Sequence, residues 1–131
     1  MTSGSDAILA RMMSLHPKVI DLTLDRVHRL LAALDHPEKS LPPVIHIAGT
    51  NGKGTSAHLL AAMLQKNKLE VGLYTSPHYQ DFRERIKING SYIDKKYVRK
   101  FVSEIAVLIE KHDIKPSFFE ITVAMAFCYF R

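Results

Sequence analysis

The chain has 131 residues, 47% apolar and 24% charged, which is enough for one domain with a core and ordinary for a soluble globular protein. Its single cysteine, Cys128, excludes an intrachain disulfide, and no apolar run approaches the roughly 18 residues of a membrane-spanning helix. The net charge of +5 comes from scattered Lys and Arg, with short clusters only at residues 83–87 and 95–100. Phosphate and carboxylate ligands account for it better than a nucleic-acid partner. The first 15 residues show no basic segment leading into a long apolar stretch, so the expected location is cytoplasmic.

In chain order, Ile8, Leu9, Met12, Met13 and Leu15 suggest a short helix. Ile20, Leu24, Val27, Leu30, Leu31 and Leu34 recur at spacings of three and four, which predicts an amphipathic helix over residues 21–34. His36-Pro37 and Leu41-Pro42-Pro43 break it. Val44-Ile45-His46-Ile47-Ala48 reads as a buried parallel strand. A glycine-rich loop follows, then a helix over residues 55–67 with Leu59, Leu60, Met63 and Leu64 on one face. Residues 71–74 form the next strand. This is a parallel βαβ unit, with residues 44–48 and 71–74 expected as neighbours or near neighbours in one sheet. Residues 85–93 alternate about Asn89-Gly90, the pattern of a tight hairpin. Asp94 can cap a helix reaching about His112, with Val98, Phe101, Val102, Ile105, Leu108 and Ile109 facing inward. Ser117 can cap a last helix, apolar almost all round and therefore buried. The chain stops inside that helix without a C-cap signal, so truncation is expected. The class expected is α/β, a phosphate-loop parallel sheet flanked by helices.

Gly49-Thr50-Asn51-Gly52-Lys53-Gly54-Thr55 lies between the apolar strand and a helix, the context a phosphate cradle requires. Glycines let backbone N–H groups approach phosphate, and the helix N-terminus adds a favourable dipole. Lys53 can neutralise the β- and γ-phosphates, and the hydroxyl of Thr55 or Ser56 can face a Mg²⁺ ion. The string departs from G-x-x-x-x-G-K-[ST]: the first glycine would fall at Ile47, and Gly54 separates Lys53 from Thr55. The competing reading is a glycine-rich turn with a solvated lysine.

The string from His46 to Thr55 resembles the phosphate loop of folylpolyglutamate synthases and bifunctional dihydrofolate synthases, relatives of the Mur ligases, whose own loop normally lacks the glycine after the lysine. Val71-Gly72-Leu73-Tyr74-Thr75-Ser76-Pro77-His78 is similar to the next strand and T-S-P-H loop of the folate enzymes. Arg83-Glu84-Arg85-Ile86-Lys87-Ile88-Asn89-Gly90 resembles their R-E-R-I-x-I-N-G stretch, Phe118-Phe119-Glu120 their F-F-E motif, and Leu15-His16 with Ile20-Asp21 their L-H-x-x-x-I-D pattern. The resemblance implies that residues 1–131 form an incomplete N-terminal ATP-binding domain of a Mur-ligase-like enzyme, with the C-terminal domain absent. A catalytic Glu, a His and a carbamylated Lys of the family would also lie beyond this chain.

Further roles come with that resemblance. It implies that Thr50, Asn51, Gly52 and Lys53 contact ATP, with Lys53 in the catalytic role, inside an ATP-binding loop that Gly49, Gly54 and Thr55 complete. It implies that Ser76 ligates Mg²⁺, beside the Thr55 hydroxyl that the loop itself offers; read alone, Ser76 is a turn hydroxyl before Pro77. Leu15, His16, Phe118, Phe119 and Glu120 would line the pterin or folate site. Without the family, Phe118 and Phe119 read as core aromatics and Glu120 as a first-turn carboxylate favoured by the helix dipole. His78 would approach a phosphate or the folate tail, or sit in solvent. Arg83, Glu84 and Arg85 read either as part of a mobile substrate loop or as a solvated strand edge. His28, His58 and His112 read as structural, His46 as packed and hydrogen-bonded, and Cys128 as a small core residue.

The implied reaction is ATP-dependent addition of L-glutamate to dihydropteroate or a (tetrahydro)folate through an acyl phosphate, with ATP and Mg²⁺ as cofactors and no nucleic-acid or membrane partner. The 131-residue chain is expected to be inactive alone and prone to self-association. Alternatives are a Mur-type amino-acid ligase of peptidoglycan precursors, a non-catalytic nucleotide- or pterin-binding module, and a plain phosphate-loop NTPase.

Overall fold

The computed structural model describes residues 7, 8, 10–12, 24–49 and 51–131. In chain order these form α1 (Asp25–Ala33), a 3-10 turn (Pro37–Ser40), α2 (Lys53–Lys66), β1 (Gly72–Tyr74), a second 3-10 turn (Phe82–Arg85), β2 (Ile86–Ile88), β3 (Ser91–Tyr92), α3 (Lys95–Lys111) and α4 (Phe118–Phe130). Residues 7, 8 and 10–12 are also helical, as the apolar spacing there suggests. The chain divides into two units, one of Met1–Pro42 with Lys95–Arg131, the other of Pro43–Asp94.

The first unit is helical. Leu30 and Leu31 of α1, Val98, Phe101, Val102 and Ile105 of α3, and Ile121, Ala124, Met125 and Ala126 of α4 are all buried. These are the inward residues that periods of three and four select. Leu108 and Ile109, expected on the same face, are half-buried. α4 packs against α1 and the first 3-10 turn. It starts at a reciprocal cap: Ser117 Oγ accepts from the Glu120 N–H at 3.2 Å, and Glu120 Oε1 accepts from the Ser117 N–H at 3.1 Å. Thr122, buried on α4, donates its hydroxyl to the Phe118 carbonyl at 2.8 Å. At the far end of α3, Arg29 donates to the carbonyls of His112 and Asp113 at 2.9 and 3.4 Å, occupying acceptors that a helix C-terminus leaves open.

The second unit holds a three-stranded antiparallel sheet in the order β1-β2-β3, with Leu73 opposite Lys87 and Lys87 opposite Tyr92. The hairpin turns at Asn89 (φ 51°) and Gly90 (φ 81°), the positive pair that a two-residue turn matched to strand twist demands. Asn89 also ties in β1. Its N–H donates to the Val71 carbonyl at 2.9 Å, and its Oδ1 accepts from the Val71 N–H at 2.8 Å.

Two expectations need correction. Residues 44–48 are not a strand: Val44 is 70% and Ile45 62% exposed, and His46, expected to be packed, is exposed too. The sheet that forms is antiparallel, and β1 pairs with β2 rather than with residues 44–48. A buried parallel strand draws its bonds and its cover from neighbours, and among the described residues none flanks this run. α2 likewise buries no residue, with Leu59 at 61% and Met63 at 63% exposure on its apolar face. The mixed helix-and-sheet class holds; the parallel pairing does not occur among the described residues.

Candidate nucleotide and folate site

α2 begins at the glycine-rich loop. Gly52, its N-cap, has φ 74°, a left-handed conformation that a β-carbon disfavours. No N-cap side chain bonds to this terminus and its first turn carries no acid, so no carboxylate of its own cap or first turn claims its leading N–H groups. Gly49, Asn51, Gly52, Lys53, Gly54 and Thr55 are all exposed. One turn along, His58 Nδ1 lies 2.7 Å from the Gly54 carbonyl, so that nitrogen carries the proton and donates. The terminus thus offers N–H donors, a cation and a hydroxyl, the set that a polyphosphate takes. Thr50 lies outside the described residues, as do Leu15, His16, Ile20 and Asp21.

The Thr75 N–H donates to the Arg85 carbonyl at 2.9 Å, closing the base of a loop that carries Ser76 and His78. Ser76 is exposed, and its peptide bond to Pro77 is cis. The stretch 83–85, read in sequence as a mobile loop or a solvated edge, is a capped 3-10 turn instead. Glu84 accepts three backbone N–H groups: Tyr79 through Oε1 at 3.0 Å, Gln80 and Asp81 through Oε2 at 2.9 and 2.7 Å. Those bonds, Tyr79 first, hold its carboxyl at about 2, well below the usual carboxylate range. Asp81 returns the cap, accepting from the Arg83 N–H at 2.9 Å. Arg85 Nε donates to His78 Nδ1 at 2.8 Å, leaving the His78 proton on Nε2. Burial raises the Tyr74 phenol, with nearby Arg85 opposing it. The sequence does carry the signal for this turn, since Asp81-x-x-Glu84 has the form of a capping box.

In the first unit, Phe119 is 58% exposed and Phe118 half-buried, so neither is a fully buried core aromatic. Glu120 meets Arg26 at 2.9 Å, and both side chains are nearly buried, at 12% and 13% exposure. Its Oε2 is enclosed and, among the described residues, without a hydrogen-bond partner. Nothing in the local sequence pairs these two residues. Cys128 is half-buried, and burial raises its thiol. Among the described residues no three His, Cys, Asp or Glu side chains gather to hold a metal, and no helix is long and apolar enough to cross a membrane.

Known proteins define the class first. No family model matches the chain. Its fold matches a solved structure described as an FPGS–AMPPCP–folate complex, with TM-score 0.84 and 33% identity over 95% of this chain and 32% of that one. It also matches the Mycobacterium tuberculosis folylpolyglutamate synthase complexed with ADP, with TM-score 0.80 and 36% identity over 95% of this chain and 29% of that one. The architecture is therefore that of the Mur-ligase-like α/β enzymes. The Bacillus subtilis dihydrofolate synthase/folylpolyglutamate synthase is 40% identical over 111 residues, 82% of this chain and 26% of that protein. The chain belongs to the folylpolyglutamate synthase/dihydrofolate synthase family. It spans 13% to 26% of the length of the first curated relatives it matches.

Proposed function

We propose that this chain carries the nucleotide-phosphate part of an ADP-forming ligase, one that adds L-glutamate to dihydropteroate or to a (tetrahydro)folate. The observation that carries the reading is the uncapped N-terminus of α2, led by Gly52 in a left-handed conformation and followed at once by Lys53. Relatives of the same fold are described as complexes with ADP, AMPPCP and folate, which supports a polyphosphate at this loop and a pterin elsewhere in the protein.

Carboxylates resist amines because their leaving group is poor. Transfer of the γ-phosphoryl to the acid gives an acyl phosphate, which the glutamate amine then attacks, releasing phosphate. The transfer depends on positioning and charge neutralisation. Lys53 and the N–H groups of residues 49–55, Asn51 among them, are the parts this chain would supply. Mg²⁺ fits the hard oxygens of Thr55 and Ser76, and with so few protein ligands it would arrive held by nucleotide phosphates. It would neutralise charge on those phosphates. Phe118, Phe119 and Glu120, with Leu15 and His16, are the proposed pterin contacts: aromatic faces for a flat ring and a carboxylate for its N–H groups.

Titration of ATP, ADP and tripolyphosphate into the chain tests the loop. Lys53→Ala should weaken all three about tenfold or more, since a charge-assisted hydrogen bond contributes ~1.5–3 kcal/mol. Binding that survives unchanged in both Lys53→Ala and Gly52→Ala would place the site elsewhere.

A further inference from the structure

Ser76 sits on a loop whose backbone is held by one side chain. Glu84 gathers the N–H groups of Tyr79, Gln80 and Asp81, the three residues that begin three positions after Ser76, all within 3.0 Å. A second tether reaches closer: Arg85, next to Glu84, donates to His78, two residues after Ser76. A third closes the base, from the Thr75 N–H to the Arg85 carbonyl. Residues 75, 78 and 79–81 are therefore each tied to Glu84 or Arg85, and Ser76-Pro77 is the stretch between the ties.

We propose that Glu84 is a positioning residue for the metal-bound nucleotide: by gathering the N–H groups of residues 79–81 it fixes the loop that presents the Ser76 hydroxyl, and Arg85 completes the task through His78. This rests on the reading of the phosphate loop and of Ser76 given above. The chemistry of Glu84 suits a permanent staple rather than a ligand. Both oxygens are committed to backbone donors, and a carboxylate so bonded stays ionised across the neutral range. Glutamine at this position keeps one acceptor but turns the other into a donor that faces N–H groups.

The test uses the 131-residue chain and reads two things. One is ATP affinity with and without Mg²⁺. The other is hydrogen exchange at the amides of Tyr79, Gln80 and Asp81. In wild type, Mg²⁺ should tighten ATP binding. In Glu84→Gln the three amides should exchange at least tenfold faster and the Mg²⁺-dependent tightening should fall at least fivefold. ATP affinity without Mg²⁺ should stay within twofold, because residues 49–55 are untouched. Ser76→Ala should remove the same tightening while leaving the three amides protected, and it serves if Glu84→Gln does not fold.

Faster exchange with full Mg²⁺ tightening would make Glu84 a local staple only and overturn the proposal. Tightening that survives Ser76→Ala would overturn it as well. A wild type that binds ATP without any response to Mg²⁺ sinks this inference alone. A wild type that binds no ATP sinks the phosphate-loop reading, and this inference with it.

Discussion

Arg26 of α1 and Glu120 of α4 form an ion pair of 2.9 Å with both side chains close to buried, and the same Glu120 oxygen also accepts the Ser117 N–H at the head of α4. One carboxylate thus serves a helix cap and an inter-helix contact together. Removing a single partner of such a pair leaves a charge in a poor medium, at a cost of ~3–5 kcal/mol. Arg26→Met is therefore expected to destabilise the first unit by about 3 kcal/mol. Adding Glu120→Gln should restore part of the loss. Urea unfolding of the two single variants and the double variant measures the coupling, and strictly additive losses would show that the pair is not coupled.

The cap itself has a separate cost. Ser117→Ala removes the Oγ that accepts the Glu120 N–H at 3.2 Å. A lost N-cap of this kind costs ~1 kcal/mol. Ser117→Asp, which keeps an acceptor in place, should recover most of it in the same denaturation series.

Glycine positions should respond in opposite directions. Gly90 has φ 81°, and although a β-carbon there meets nothing within 4 Å, an L side chain in the left-handed region costs ~1–2 kcal/mol. Gly54 is helical and equally unobstructed. Alanine is ~1 kcal/mol better than glycine in a helix. Gly90→Ala should lower the melting temperature and Gly54→Ala should raise it; the same sign for both would contradict the backbone account.

These contrasts mirror what the sequence discloses. The Asn89-Gly90 turn and the Ser117–Glu120 cap were legible because each is a local bond between residues a few positions apart, with a fixed chemical signature. The five-residue run from Val44 to Ala48 was read as a buried strand because its composition is that of one, but composition names a propensity and not a partner. Pairing is a non-local fact, and β1 takes its bonds from β2. Arg26 and Glu120 lie at opposite ends of the chain, so no pattern announces their contact. Glu84 is different in kind. Its capping-box spacing was present, yet the alternating charges around it read as a mobile substrate loop or a solvated strand edge. Of the expected site, residues 49–55 and the Ser76 loop occupy one unit and Phe118, Phe119 and Glu120 the other, as their order in the chain divides them.

Glu84 should also give the loop a pH dependence with a definite sign. Its ordinary value is 4.5 and its value in the folded loop is about 2. The folded state therefore binds this proton less readily than the unfolded chain. The stabilisation is fully present above about 4.5 and is lost as the pH falls toward 2. Protection of the amides of residues 79–81 should decline through that window, and in Glu84→Gln it should be low and flat. An unchanged decline in the variant would assign the effect to other carboxylates.

Ligation is expected to be absent from the 131-residue chain alone. Forming an amide through an acyl phosphate requires ATP, the acid and glutamate to be held together, and water to be kept from the intermediate. The chain corresponds to 26% of the length of the Bacillus subtilis relative and to 32% of the chain described with AMPPCP and folate. Its described residues include most of the loop proposed to take phosphate and the Ser76 hydroxyl proposed to face a metal, but no cluster of three metal-ligating side chains. Val44, Ile45, Leu59 and Met63, next to that loop in sequence, are exposed. Glutamate incorporation into dihydropteroate and tetrahydrofolate, with ATP and Mg²⁺, is the direct assay. The expected result is no product above a heat-inactivated control, even where ATP binding is measurable. Turnover that scales with the amount of this chain and disappears in Lys53→Ala would show that 131 residues suffice for the reaction.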